Sequence, residues 1–254
     1  MPWNPDIYNQ FKTIRYQPFF DLMDLIYDEN LENAVDLGCG TGEQTKILSE
    51  NFRNTNFLGV DSSAEMLEKS KSFENNRLHF EQSSVEKFID SNKKYDLIFS
   101  NAALQWSNNH LELFPSFFSM LSENGQFAVQ MPVQHENRLN QILYQLASEE
   151  PYRTQLNSWN RASEVLSMDQ YVHVMFENGL SDLQVFTKVY PIVAKDEEEL
   201  FAFISGSALI PYLERLNEDK KNIFTSEFKR RIQQDFQKFP AIYSFKRLLI
   251  YGRV

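Results

Sequence analysis

The chain has 254 residues, enough for one large α/β domain, and its 42% apolar share with 22 Phe can fill a core that a disordered chain lacks. A formal net charge of −10 disfavours nucleic acid as a partner, because phosphate binding asks for concentrated positive charge. Cys39 is the sole cysteine, no secretory leader pattern opens the chain, and no apolar run reaches the roughly 18 residues of a membrane span; the expectation is a cytoplasmic protein with no disulfide and no membrane partner.

From Asn33 to Pro132 short apolar runs alternate with helical periodicity. Strands are expected at Ala34–Leu37, Phe57–Val60, Leu78–Phe80, Tyr95–Ser100 and Gln126–Met131. Helices are expected at Glu43–Asn51, at Ala64–Ser72 behind an N-cap at Ser62 or Ser63, and at Leu111–Leu121, closed by Asn124-Gly125. Strands and helices at this spacing imply βαβ units and a mainly parallel sheet. Beyond Pro132 the rhythm changes. Leu139–Ser148 reads as a helix, Ser167 to Gln170 has capping-box spacing with Gly179 behind it, and Glu197–Ile204 and Glu218–Phe239 read as helices. Leu183–Val193 and Tyr243–Tyr251 read as late strands. The expected fold is therefore α/β: a Rossmann-like, seven-stranded, mostly parallel sheet ending in an antiparallel strand pair, with an inserted helical cap. The basic run Lys229, Arg230, Arg231 is flanked by Glu227 and Asp235 and reads as a solvated helix face.

The strongest signal is Val35-Asp36-Leu37-Gly38-Cys39-Gly40-Thr41-Gly42-Glu43, a strand running into a glycine-rich turn and a helix. Glycines let backbone approach a ligand closely, and the helix N-terminus offers unpaired N–H groups. Asp61 ends the next strand, where a carboxylate can accept hydrogen bonds from ribose hydroxyls. A dinucleotide would want G-x-G-x-x-G under its pyrophosphate, but Glu43 occupies the third glycine position and would repel it. Asp36 instead suits a ligand bearing an ammonium group. S-adenosylmethionine fits this pattern best; a dinucleotide and a ligand-free turn remain the alternatives. Ser83 and Ser84 follow the third strand, where they could meet an adenine edge, and Asn101 to Trp106 follows the fourth, where it could line a transfer site.

VDLGCGTG, GVDSS, YDLIFSNAALQW and QMP together resemble the class I methyltransferases, and within them the trans-aconitate 2-methyltransferase family. That resemblance runs from Trp3-Asn4-Pro5, Tyr8 and Phe11 through Leu113-Phe114-Pro115 to the late Phe245–Ile250 run. It implies one methyltransferase domain over 1–254, with N-terminal lid helices in 1–30 and the helical cap at approximately 195–240. It implies S-adenosylmethionine, released as S-adenosylhomocysteine, held by Tyr8, Arg15, Asp36, Gly38, Cys39, Gly40, Asp61, Ser62, Met66, Ser83, Ser84, Val85, Asn101 and Ala102. The acceptor, a trans-aconitate-like carboxylic acid converted to a monomethyl ester, would meet Gln105, Trp106, Tyr212 and Arg247. Alternatives are a malonyl-acyl-carrier O-methyltransferase of the biotin type and a cofactor-binding paralogue without activity. Gln17 and Ile210 stand where the family has arginines, which points to an acceptor with fewer carboxylates. An ionised carboxylate is already a nucleophile, so no general base is expected. His79, His110, His135 and His173 fall on different elements, so no metal is expected either. Nothing in the sequence sets the oligomeric state, and a monomer is compatible with it.

Overall fold

The computed structural model describes residues 12–89, 93–161 and 164–254. Seven strands form one sheet: β1 (Asn33–Leu37), β2 (Asn56–Asp61), β3 (Leu78–Gln82), β4 (Tyr95–Asn101), β5 (Leu121–Pro132), β6 (Ser181–Ala194) and β7 (Ala241–Arg253), in the order β3-β2-β1-β4-β5-β7-β6. The first five are parallel, and β7 runs antiparallel to β5. This is the Rossmann-like arrangement expected. Its order reverses between β1 and β4, where such sheets hold ligands at the carboxyl ends of the strands. Register brings Asp61 beside Gln82, Asn101 beside Gln130, and Pro132 beside Arg247.

Among the described residues, contacts divide the chain into two compact units, 18–89 and 93–132 with 164–188 and 247–254, and 12–17 with 133–161 and 189–246. In the first, parallel β1 is covered on both faces, so Ala34, Val35, Asp36 and Leu37 are all buried. One core joins Phe19 and Leu22 of α1 (Lys12–Met23) to Phe57, Leu97, Phe99, Leu249 and Tyr251. A second set of rings gathers on α5 (His110–Phe118), whose Phe114, Phe117 and Phe118 meet Phe127 at centroid distances of 5.4, 6.1 and 5.0 Å. The helices α2 (Glu43–Asn51), α3 (Ala64–Ser70) and α4 (Val85–Phe88) follow the first three strands. Ser63 caps α3, and Ser167 with Gln170 forms a complete capping box on α8 (Met168–Glu177).

Several boundaries differ from the sequence expectation by a few residues, as where the expected helix Glu218–Phe239 ends at Asp235, and the largest difference follows Leu111–Leu121. The helix ends at Phe118, and Asn124-Gly125 lies inside β5 rather than closing a helix. Asn124 has φ +63°, and the register between β4 and β5 shifts from Tyr95↔Leu121 to Leu97↔Gln126. An Asn-Gly pair tolerates left-handed backbone wherever it occurs, so the same dipeptide that ends helices also forms bulges.

The second unit has its own core. Leu139, Ile142, Leu143 and Leu146 line one face of α6 (Arg138–Ser148), and Phe224, Phe228 and Ile232 line one face of α11 (Glu218–Asp235). Between these lie α7 (Tyr152–Gln155), α9 (Glu197–Ser205) and α10 (Ile210–Leu213). The basic run on α11 is paired: Lys229 with Glu198 at 2.7 Å, Arg230 with Glu227 at 2.7 Å, Arg231 with Glu149 at 2.6 Å. Among the described residues no helix is long and apolar enough to cross a membrane.

Candidate functional site

The glycine turn leaves β1 with Gly38, Gly40 and Gly42 all at positive φ. At Gly38 a Cβ would stand 2.1 Å from the Cβ of Ala103, so the turn can lie against the β4 loop only because that atom is missing. At Gly40 a Cβ would meet nothing within 4 Å, so this part of the turn faces open space. The turn is tied to β2 through its backbone: the N–H groups of Gly38 and Cys39 donate to Val60 O at 2.7 and 3.0 Å.

Asp61 completes that tie. Its Oδ2 accepts from Gly40 N–H at 2.9 Å and its Oδ1 from Ser63 N–H at 2.8 Å, while its carbonyl accepts from Ser83 N–H at 3.1 Å. The turns after β1, β2 and β3 therefore converge on one aspartate. Each carboxylate oxygen keeps a second lone pair for a further donor.

Asp36 is buried at 3% exposure, and Oδ2 accepts from Thr45 Oγ1 at 2.6 Å. Burial is the main reason its carboxyl is pushed up to about 7; the Thr45 bond opposes that rise and the nearby Asp61 charge adds to it. Burial, then the Asp36 and Asp61 charges, push the Cys39 thiol upward too, so it stays protonated.

The remaining cofactor candidates are distributed around this centre. Ser84 caps α4, its Oγ accepting from Lys87 N–H at 3.3 Å, and Val85 begins that helix. Ser62 is exposed, with its carbonyl accepting from Gln82, and Met66 is 42% exposed on α3. Asn101 ends β4; its Nδ2 donates to Gln44 Oε1 at 2.9 Å, and its Oδ1 is buried without a hydrogen-bond partner. Ala102 follows at φ +57°, an uncommon value for a residue with a Cβ. Gln105 is buried and donates to Ala102 O at 2.7 Å, and Trp106 is 43% exposed. Arg247 is buried beside Gln130, its Nη2 donating to Gln130 Oε1 at 2.5 Å.

Arg15 and Tyr212 belong to the second unit. The Arg15 Nη2 donates to Phe203 O at 2.5 Å, and its guanidinium lies 4.8 Å from the Phe203 ring centroid. Tyr212 is a core residue there, donating to Asn160 Oδ1 at 2.7 Å and stacked on Phe224. Tyr8, and with it Trp3 and Phe11, lies outside the described residues.

Some contributors were not visible in the sequence. Gln44 and Thr45 directly follow the glycine motif, but only the fold shows that they meet Asn101 and Asp36. Gln130 carried a weak signal, a polar residue in the apolar run Phe127–Met131.

A family model described as a methyltransferase domain matches residues 28–193. The chain is 37% identical to the trans-aconitate 2-methyltransferase of Deinococcus radiodurans, over 98% of this chain and 97% of that one. The chain belongs to the trans-aconitate 2-methyltransferase family. The enzyme of the same name from Variovorax paradoxus is 28% identical, over 100% of this chain and 96% of that one. Among solved structures, Haemonchus contortus phosphoethanolamine N-methyltransferase 2, with phosphomonomethylethanolamine and S-adenosylhomocysteine, shares the fold at a TM-score of 0.58 and 15% identity. That alignment covers 93% of this chain and 52% of the other. As a member of the trans-aconitate 2-methyltransferase family the protein is an S-adenosylmethionine-dependent methyltransferase. Among the described residues no group of three or more His, Cys, Asp or Glu side chains could hold a metal ion.

Proposed function

We propose that the protein transfers a methyl group to one carboxylate of a small organic acid of the trans-aconitate type, giving a monomethyl ester. The observation that carries this reading is the end-to-end match to the Deinococcus enzyme. The residues present fit the cofactor: the open space at Gly40, the lone pairs left on Asp61 and the orphaned Oδ1 of Asn101 are all uncommitted features of this chain.

In this proposal Asp61 takes the ribose hydroxyls, Asp36 favours the ammonium group, and Ser83, Ser84 and Val85 border the adenine, with Cys39, Ser62, Met66 and Ala102 beside them. When bound, S-adenosylmethionine supplies a methyl group already activated on sulfur. An acceptor carboxylate, ionised at neutral pH, needs no base to attack it. The protein's own work is orientation and exclusion of water. Arg247 orients the carboxylate through charge-assisted bonds, and Gln105 and the ring of Trp106 border the acceptor. Arg15, Tyr8, Tyr212, the lid in 1–30, the cap at 195–240 and a cytoplasmic location enter the proposal on the family resemblance and the composition alone.

The test is an S-adenosylhomocysteine-release screen over di- and tricarboxylates, with the product identified by mass. Release with trans-aconitate or a close relative, and a monomethyl ester as product, is the expected result. A protein that binds S-adenosylmethionine but releases no S-adenosylhomocysteine with any acid overturns the reading.

A further inference from the structure

Gln130 stands in β5 with no exposed surface, between buried Phe127, Ala128 and Val129 on one side and Met131 on the other. A buried primary amide needs partners for both ends. Its oxygen has one, since Arg247 Nη2 donates to Oε1 at 2.5 Å. A guanidinium only donates, so the amide oxygen must face Arg247 and the amide nitrogen must point elsewhere. That nitrogen, Nε2, is buried and has no hydrogen-bond partner. The usual ambiguity between the two ends of an amide is therefore removed by the chemistry of its neighbour.

The position of this orphaned donor indicates what it serves. Gln130 pairs in register with Asn101, at the carboxyl ends of parallel strands. Most of the groups assigned to the cofactor cluster after β1, β2 and β3, with Asn101 and Ala102 after β4, whereas β5 lies beyond β4, one strand further from the glycine turn. With strands about 4.8 Å apart, that is roughly 10 Å from β1. The carbonyl of Gln130 also accepts from Ala102 N–H at 2.9 Å, and Gln105 donates to Ala102 O, so its backbone anchors the turn that carries Gln105 and Trp106. An N–H donor beside a guanidinium repels cations and complements an oxygen anion. Asn101, one strand over, leaves an acceptor orphaned instead, which suits the opposite kind of ligand group.

We propose that Gln130 Nε2 receives an oxygen of the acceptor's carboxylate and acts with Arg247 as a specificity-determining residue. This inference rests on the carboxyl-methylation reading above.

The test compares full-length Gln130→Met and Gln130→Glu with the unaltered protein. It measures the acceptor KM, the S-adenosylmethionine KM and calorimetric binding of trans-aconitate to protein loaded with S-adenosylhomocysteine. Gln130→Met fills the same space without a donor; its acceptor KM should rise about tenfold, with a matching loss of binding and a cofactor KM within about twofold. Gln130→Glu sets a carboxylate against a carboxylate and should raise the acceptor KM by about a hundredfold or more. An unchanged acceptor KM, or acceptor and cofactor constants rising together, overturns the proposal. Should Gln130→Met fail to fold, Gln130→Asn, with a shortened donor, is judged by the same split. If the unaltered protein methylates no acid, the carboxylate reading itself fails and this inference goes with it; if it does and the variants match it, only the inference fails.

Discussion

Asp61 holds the glycine turn and the head of α3 by its two carboxylate oxygens while keeping lone pairs to offer a ligand. Removing the carboxylate takes away both the preorganised turn and the acceptors. Asp61→Ala should weaken S-adenosylhomocysteine binding by about tenfold or more in calorimetry, and Asp61→Asn, which keeps one acceptor oxygen, by less. Unchanged affinity would count against the ribose role. Asp36 makes a different prediction. Its carboxyl titrates near 7 in the folded protein, chiefly because of burial, against an unfolded value near 4. Between those values the folded state holds a proton that the unfolded state has lost, so stability should fall as pH rises from about 4 to about 7 and then level off. A shift of about three units corresponds to roughly 4 kcal/mol. Asp36→Asn keeps an acceptor for the Thr45 hydroxyl and should flatten that slope, so the variant gains on the parent at pH 8 relative to pH 5 in urea unfolding. Parallel curves at the two pH values would sink the idea.

The short 3-10 turn Leu104–Trp106 is the element that presents Gln105 and Trp106, and it is held from below by a histidine. His110 lies at 1% exposure at the start of α5. One ring nitrogen, Nε2, lies 2.9 Å from Leu104 O and the other, Nδ1, lies 2.6 Å from Tyr171 Oη. A carbonyl can only accept, so Nε2 carries the proton and Nδ1 accepts from the tyrosine hydroxyl, which in turn accepts from Leu166 N–H at 3.2 Å. Burial holds the imidazole below its ordinary value and keeps it neutral. His110→Ala takes one of two donors from the Leu104 carbonyl, which keeps Ser107 N–H at 2.9 Å, leaves the buried Tyr171 hydroxyl proton without an acceptor and removes the ring's packing, at a cost of about 2–4 kcal/mol. Stability measured in denaturant should fall by that amount. The acceptor KM should rise more than the cofactor KM, because the network holds Leu104 at the base of Gln105 and Trp106, while Asp61 lies outside it and the glycine turn meets this loop at Ala103. Equal effects on both constants would show that His110 supports the fold generally and not the acceptor turn.

At the scale of the whole molecule, what the sequence disclosed was what local chemistry determines. The succession of Ala34–Leu37, the glycine turn and the next strand repeats a pattern set by neighbouring residues, so the parallel half of the sheet was legible, while the bond from Gly40 N–H to Asp61 was not. Asn124-Gly125 misled because left-handed tolerance is local, while its use as a cap or a bulge depends on Tyr95 meeting Leu121 across the sheet. The partners of Asn101 and Gln130 were illegible for the same reason, since Gln44 and Arg247 reach them only once the strands are paired, and Thr45 meets Asp36 only once α2 folds back over β1. Those pairings also determine how the folded chain should respond to its ligand. The groups that converge on Asp61 come from three separate strand ends, and an unfolded chain does not bring them together. A ligand that needs all of them binds only the folded state. At a hundredfold excess over its Kd, S-adenosylhomocysteine should then add about 2.7 kcal/mol of stability. For a chain of this size each kcal/mol is worth about 2–4 °C, so the melting midpoint should rise by roughly 5–11 °C in a thermal scan. At the same ligand concentration Asp61→Ala should show a smaller rise. A midpoint that does not move in the unaltered protein would mean that these strand ends, although joined, do not form the cofactor site.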